Sequence, residues 1–453
     1  MLLYFLIPWM FLILVPWLPQ AKTRPLFIAM ALSDTLQAIF GLSLGQSFHG
    51  SWWPSLGLNI ALAVTPFSQP LLWLNGIVLL SIACINQSPS RDSVFWLSLA
   101  YSGVSLAFLS RNLLLYFLGF EIAVLPFYLL VRKEGGTDRR AAALYFLAFS
   151  AIAGMFLLAA TLTLVVHHIT TFDSHVVPRA LQFSVYGLLL VMWAIKTPLW
   201  PFHLWLPRTH GEASTPVSMY LSGVALKVAP FGLLSFSSML APAIHHASSL
   251  LALWGALTVL LGSLLALGQT DLKQTVAQSS IASMGYVLIA LSFGTSLGNQ
   301  AAILIMIGHG LASPLLFLVT SRIYDLIGSR QIQDMTGLYQ KSPALVSWLT
   351  VGAFAYMGIP GLALFPGEFG VVMVALQRDP VILYLIIPAM LFMAATWLRV
   401  LARVHFGHLT RSTSNVSSRT GSVWSAAWLG IPLILIGIAP IWWTHIWNWG
   451  GLK

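Results

Sequence analysis

Charge is scarce in this chain of 453 residues. Asp, Glu, Lys and Arg make up 8% of it, against about 25% in an ordinary soluble domain. With 58% hydrophobic residues and a mean hydropathy of +0.85, that scarcity excludes a water-soluble enzyme, a disordered chain and a nucleic-acid binder. The formal charge of +10 comes from too few residues to coat a surface. Cysteine is nearly absent: Cys84 stands alone, so neither an intrachain disulfide nor a cysteine-held metal cluster is open to the chain. There is no phosphate-binding loop and no dinucleotide fingerprint. No cofactor is therefore expected, and a chain of this kind that moves ions must draw on a gradient or a partner. Long hydrophilic stretches are missing too, so residues 1–453 read as one transmembrane domain. The first apolar run, Leu2 to Leu18, lacks a basic leader segment and a small-residue cleavage site. It reads as a retained span rather than a signal peptide.

What is present is a series of apolar runs. A spanning helix needs about 20 mostly apolar residues, and about fourteen such runs occur, near 2–19, 26–45, 66–86, 93–109, 112–131, 141–166, 181–206, 215–238, 248–268, 276–294, 298–320, 342–373, 382–398 and 423–445. The stretch Trp52–Leu62 is apolar but too short, and is expected at the membrane interface. Alternating the connections between two sides puts sixteen basic residues on side A: Lys22, Arg24, Arg91, Arg132, Lys133, Arg139, Arg140, Arg208, Lys273, Arg322, Arg330, Lys341, Arg399, Arg403, Arg411 and Arg419. Side B receives Arg111, Arg179, Arg378 and Lys453. Basic residues gather on the cytoplasmic or equivalent side of a membrane, so side A is that side and both termini lie on side B.

Lys196 and Lys227 fall inside spans, as do Asp34, Glu121 and Glu368. A charge at mid-bilayer costs about 2.5–3.5 kcal/mol on insertion scales, and such residues usually mark an ion pathway. A static buried ion pair is the plainer alternative, and Asp34 stays open between the two readings. Lys196 directly precedes Pro198, Pro201 and Pro207, with His203 among them. Prolines break the backbone ladder, and carbonyls so freed survive in a membrane only where protein or water satisfies them. A lysine there is suited to proton transfer, because burial lets it lose a proton and an approaching carboxylate lets it regain one. The twelfth span repeats the theme, with Gly358, Pro360, Gly361, Pro366 and Gly367 ahead of Glu368. Broken helices at spans 7 and 12, five apart, suggest two five-helix repeats, spans 4–8 and 9–13. Five being odd, the second is inverted. The chain then divides into 1–90 with three N-terminal helices, 91–240 and 246–405 as the repeats, and 420–453 as a C-terminal helix. His309, between the two charged regions, is a candidate proton relay. His167–His168 and His245–His246 read as solvated loop residues.

The segment Ala194-Ile-Lys196-Thr-Pro198-Leu-Trp-Pro-Phe-His203-Leu-Trp-Leu-Pro207-Arg-Thr-His210-Gly-Glu-Ala-Ser-Thr-Pro216 closely resembles the signature of the antiporter-like, proton-translocating subunits of respiratory complex I. The resemblance continues through Leu221 to Lys227, Gln269 to Lys273, Ser279 to Gly285 and Gly308 to Leu311, and covers about residues 90 to 405. The fold is shared with multisubunit sodium/proton antiporters and membrane-bound hydrogenases, the alternative assignments. Glu368, where sister subunits carry lysine, resembles the M-type chain-4 subunits. The string His210 to Met219 looks most like those of cyanobacterial and plastid NDH-1, which takes electrons from ferredoxin and reduces plastoquinone. Ala229-Pro230-Phe231 and Ser313-Pro314 depart from the family pattern. The resemblance implies a membrane-arm subunit without redox chemistry, in a bacterial inner, thylakoid or organellar membrane. Its partners would be other membrane-arm subunits, lipid and protons, with quinone reached only through the complex. It further implies that Glu121 partners Lys196, Lys227 passes the proton inward, His309 continues it and Glu368 is the exit-side carrier.

Overall fold

The structure, a computed structural model, describes residues 2–40, 45–53, 58–85, 90–172, 177–408 and 421–446. Arg411, Arg419 and Lys453, used above to orient the chain, lie outside the described residues. In chain order the helices are α1 (Leu2–Leu14), α2 (Gln20–Ile39), α3 (Ser68–Ala83), α4 (Arg91–Leu109), α5 (Leu113–Glu134) and α6 (Arg139–Val166). Then come α7 (Arg179–Lys196), α8 (Trp205–Glu212), α9 (Thr215–Gly223), α10 (Val228–Phe236), α11 (Ala241–Leu267) and α12 (Leu272–Ser292). The series closes with α13 (Ser296–Ile327), α14 (Pro343–Tyr356), α15 (Leu364–Arg378), α16 (Leu383–His405), α17 (Gly421–Ile438) and α18 (Pro440–Ile446). Every apolar run read from the sequence falls on a helix or a broken pair of helices. Eight helical segments among the described residues are long and apolar enough to cross a membrane.

Helix starts follow local chemistry. The side chains of Ser90, Asn112, Asp271 and Thr295 accept from free N–H groups in the first turns of α4, α5, α12 and α13, the bond that stabilises a helix N-terminus. One element departs from the all-helical expectation. Strand β1 (Ser47–Trp53) pairs antiparallel with β2 (Leu58–Ala63), over much of the stretch expected at the interface. Too short to span as a helix, it satisfies its backbone groups by pairing instead. The Arg111 N–H donates to the Ala61 carbonyl at 2.8 Å and anchors the hairpin at the side-B end.

The two sides inferred from charge are two physical ends of the bundle. Connections assigned to side A bond to one another: Arg91 to the Pro16 carbonyl, Arg24 to the Ala83 carbonyl, and Lys133 to Asp92. The Gly136 N–H donates to the Glu212 carbonyl, and Arg399 to the Gln269 carbonyl. On side B, the Leu113 N–H reaches the Thr170 carbonyl, and the Phe172 N–H that of Arg111.

Helix α13 forms the axis, packed against α3, α9, α12, α14, α15 and α17. The apolar windows of α12 and α13 are buried throughout. By contrast α6 exposes Leu144, Met155 and Leu162, and α16 exposes Ile387, Leu391 and Leu398. Such faces suit lipid. Asp34 of α2 is fully buried, accepting from the Tyr101 hydroxyl at 2.6 Å and the Gln37 amide at 3.4 Å.

Candidate functional site

The first interruption follows α7. Thr197 to Pro201 are irregular and lead through a short 3₁₀ turn into α8. Two indoles satisfy the carbonyls this frees: Trp205 donates to Ile195 at 2.8 Å and Trp254 to Trp200 at 2.5 Å. Lys196, at the end of α7, is part-buried. Its Nζ donates to Ser150 of α6 at 2.9 Å and lies 4.9 Å and 5.2 Å from the ring centres of Phe120 and Phe146. An ammonium over aromatic faces is held by the ring quadrupoles.

Glu121 follows Phe120 on α5, and its carboxylate lies against Gly154 of α6. A Cβ at that glycine would fall 2.1 Å from Oε1, so any larger residue there displaces the acid from this position. Oε1 is buried and has no hydrogen-bond partner. Ser150 and Gly154 are one turn apart on α6, so Lys196 and Glu121 sit about one turn, roughly 5–6 Å, apart along it. The two charges interact electrostatically, yet among the described residues no ion pair engages Glu121, Lys196, Lys227 or Glu368.

The sequence predicts breaks at spans 7 and 12 only; the structure corrects this with a third. The eighth span stops at Gly223, turns through a 3₁₀ segment, Ala225–Lys227, and resumes as α10. That break carries Lys227, which is fully buried. Its Nζ donates to the Ser222 carbonyl at 2.5 Å and lies 2.6 Å from Nδ1 of His309, on the equally buried middle of α13. The cavity beside Lys196, about 30 Å³, is also lined by Ala225, Leu226 and Val228 around Lys227. It has room for a water molecule.

Beyond His309 the polar contacts continue. Ser222 and Ser313 are 2.6 Å apart, Ser313 and Ser280 3.4 Å, and Ser280 and the Tyr356 hydroxyl 3.3 Å. The ring of Tyr356 meets that of His309 edge to face, and His309 Nε2 is buried without a partner. Tyr356 ends α14, and the interruption at residues 357–363 follows. Within it Gly358 has φ +67°, and a Cβ there would meet Glu368 Oε2 at 2.6 Å. Glu368, on the first turns of α15, is 6% exposed. It shares a cavity of about 10 Å³ with Tyr356, Tyr286, Ser263 and Ser283.

A larger cavity, about 330 Å³, opens at side A between Lys273, Glu212, Ser218, Phe317, Thr320 and Arg330. Ser218 lies one turn before Ser222 on α9. His210, stacked on Phe317 at 4.6 Å, is fully buried with both ring nitrogens unpartnered.

The structure thus brings Lys196 beside Glu121, Lys227 against His309, and Glu368 within a tyrosine's width of His309. Asp34 is elsewhere, behind α4. Reading the sequence missed Tyr356, Ser222, Ser280, Ser313 and His210 as members. The available signal was hydroxyl and amide residues crowding an apolar helix: Thr275, Gln278, Ser279, Ser280 and Ser283 are all buried on α12. Among the described residues no group of three or more His, Cys, Asp or Glu side chains is placed to hold a metal ion.

Comparison with known proteins gives one family. Residues 110–394 match the model described as "NADH:quinone oxidoreductase/Mrp antiporter, TM". The chain is 38% identical over 340 residues to NAD(P)H-quinone oxidoreductase chain 4 3 of Picosynechococcus sp., across 72% of this chain and 61% of that protein. It is 34% identical over 418 residues to the chain 4 3 protein of Trichormus variabilis, across 87% of this chain and 77% of that one. The fold is that of a chain in respiratory complex I from Thermus thermophilus, with a TM-score of 0.90 at 24% identity, covering 98% of this chain and 97% of the other. The chain belongs to the transmembrane family of NADH:quinone oxidoreductase and Mrp antiporter subunits.

Proposed function

We propose that this chain is a proton-translocating membrane-arm subunit of a complex I-like quinone oxidoreductase. In this reading it spans an energy-coupling membrane fourteen times, with spans 4–8 and 9–13 as inverted repeats. Its partners are the neighbouring membrane-arm subunits, and quinone is reduced elsewhere in the assembly. The enzyme is then a translocase as a whole, and this chain carries no redox step.

The observation that carries the reading is the buried contact of Lys227 with His309. Two bases 2.6 Å apart share one proton between them. A proton arriving on Lys227 is handed to Nδ1, and the histidine releases one from Nε2, as an imidazole relay does. Lys196 supplies Lys227 across the small cavity between them, and Glu121 biases Lys196 by its charge. On the far side the carboxyl of Glu368 continues the route, with the hydroxyls of Ser280 and Tyr356 lining it. Interrupted helices at Lys196, at Lys227 and just before Glu368 are what a path lined by protein and water makes tolerable in a membrane. Identity to two chain-4 proteins favours the oxidoreductase over a sodium/proton antiporter or hydrogenase built on the same relay.

Affinity purification of the chain from its own membrane, with mass-spectrometric identification of what travels with it, is the test. A quinone-reducing module in the purified assembly is expected. Small antiporter subunits alone would overturn the assignment while leaving the relay geometry intact.

A further inference from the structure

Side B carries few basic residues, and two of them converge. Arg179 and Arg378 line one open groove of about 1150 Å³, together with His245 and His246. Among the described residues no acidic side chain lines it, and neither arginine has a carboxylate within ion-pair distance. The groove is built from four successive side-B connections. Three of them present helix N-termini: α7 begins at Arg179, α11 at Ala241 and α13 at Ser296, all lining residues. Each N-terminus carries roughly half a positive charge and free N–H groups. The fourth, the C-terminus of α15, would be negative, and Arg378 stands there.

We propose that this groove binds the phosphodiester headgroup of an anionic phospholipid. Both position and chemistry single out lipid. Phe183, one turn into α7 from Arg179, and Leu250, one turn into α11 from His246, are exposed on the membrane side of the groove, and so are Leu297 and Val381. Phe183 packs edge to face against His246, tying the apolar shelf to the basic wall. A lipid whose phosphate meets the arginines can lay its acyl chains on that shelf. Positive charge on side B opposes the orientation bias that governs the rest of the chain, so it calls for a local use. The site is independent of the proton relay, touching none of Glu121, Lys196, Lys227, His309 or Glu368.

The test uses the full-length chain in its purified assembly, stripped of loosely held lipid and exchanged into phosphatidylglycerol or phosphatidylcholine nanodiscs. Native mass spectrometry then counts retained lipid. Wild type is expected to retain phosphatidylglycerol and not phosphatidylcholine. R179Q/R378Q should lower phosphatidylglycerol retention at least about tenfold, as expected when two basic contacts near an anionic headgroup are lost. R179K/R378K should keep most of it. Equal retention in wild type and the glutamine variant overturns the proposal, as does displacement of the lipid by millimolar inorganic phosphate. Should the variants fail to assemble, a photoreactive phosphatidylglycerol decides on wild type alone. Crosslinks at residues 237–246 or 293–296 support the site, and crosslinks to a neighbouring subunit's segment seated there instead overturn it.

Discussion

Lys196 and Glu368 sit five spans apart at two interrupted helices, and their surroundings are opposites. Lys196 lies between the faces of Phe120 and Phe146, with one hydroxyl oxygen, that of Ser150, to receive its proton. Glu368 lines a small cavity with Tyr356, Tyr286, Ser263 and Ser283, beside a glycine that leaves it space. Aromatic faces are negative and attract a cation; the acid has instead a small cavity beside it. The same backbone device is thus furnished for opposite charges. Glycine at positions 154 and 358 lies against a carboxylate in each case, and the ring faces of Phe120 and Phe146 hold the lysine.

Reversing the sign at one pole is expected to have the largest effect. Lys196→Glu puts a carboxylate between two negative faces, about one turn from Glu121. A charge misplaced in the membrane costs about 2.5–3.5 kcal/mol, enough to deplete the subunit from the assembly on native gels. Lys196→Met should assemble normally, so depletion by Met as well would break the comparison.

Glu368→Gln comes next. The amide fits the same space, so assembly is retained, but it cannot carry a proton. Loss of a proton-transfer group typically costs about 10²–10⁴-fold in rate. A loss of at least about a hundredfold in proton transport per assembled complex is expected, and unchanged transport would remove Glu368 from the route.

Gly154→Ala is a smaller lesion. The new methyl would stand 2.1 Å from Glu121 Oε1 and must displace the carboxylate or push α5 from α6. Overpacking of this kind costs about 1–3 kcal/mol. Slowed transport that Glu121→Asp partly restores is expected, since the shorter acid clears the methyl. No rescue by aspartate would separate Gly154 from Glu121's role.

Tyr356→Phe should have the mildest effect. It removes one hydroxyl whose bond to Ser280 is long, 3.3 Å, and such bonds contribute about 0.5–1.5 kcal/mol. Transport slowed by no more than about tenfold, with assembly unchanged, is expected. A complete block would mean that the hydroxyl carries the proton itself.

The poles of the proposed relay are legible in the sequence because membrane charges are conspicuous. Glu121, Lys196, Lys227 and Glu368 stand out against apolar neighbours, and Pro198, Pro201, Gly358 and Pro360 announce two of the three breaks. The third break gave little warning. Leu221 to Lys227 contains no proline, and the feature that marks the turn, the contact of Lys227 with His309 of α13, is a tertiary one. The bridging hydroxyls were hidden for another reason. Serine in a membrane helix commonly bonds its own i−4 carbonyl, as Ser279 and Ser263 do, so composition cannot distinguish those from Ser222 and Ser313, which bond across helices. Trp52–Leu62 reads as interface, but the strands found there, β1 and β2, depend on pairing that hydropathy does not record.

The contact between Lys227 and His309 bears most of the mechanism, and His309→Met tests it directly. Methionine fills the space on α13 without a titratable nitrogen. Inverted membrane vesicles containing the assembled complex would be assayed for proton uptake by a pH-sensitive dye and for quinone-linked electron transfer in the same sample. Protons moved per electron are expected to fall in the variant while the subunit stays in the complex. An unchanged ratio, with His309→Met confirmed in the assembly, would contradict a route through this pair.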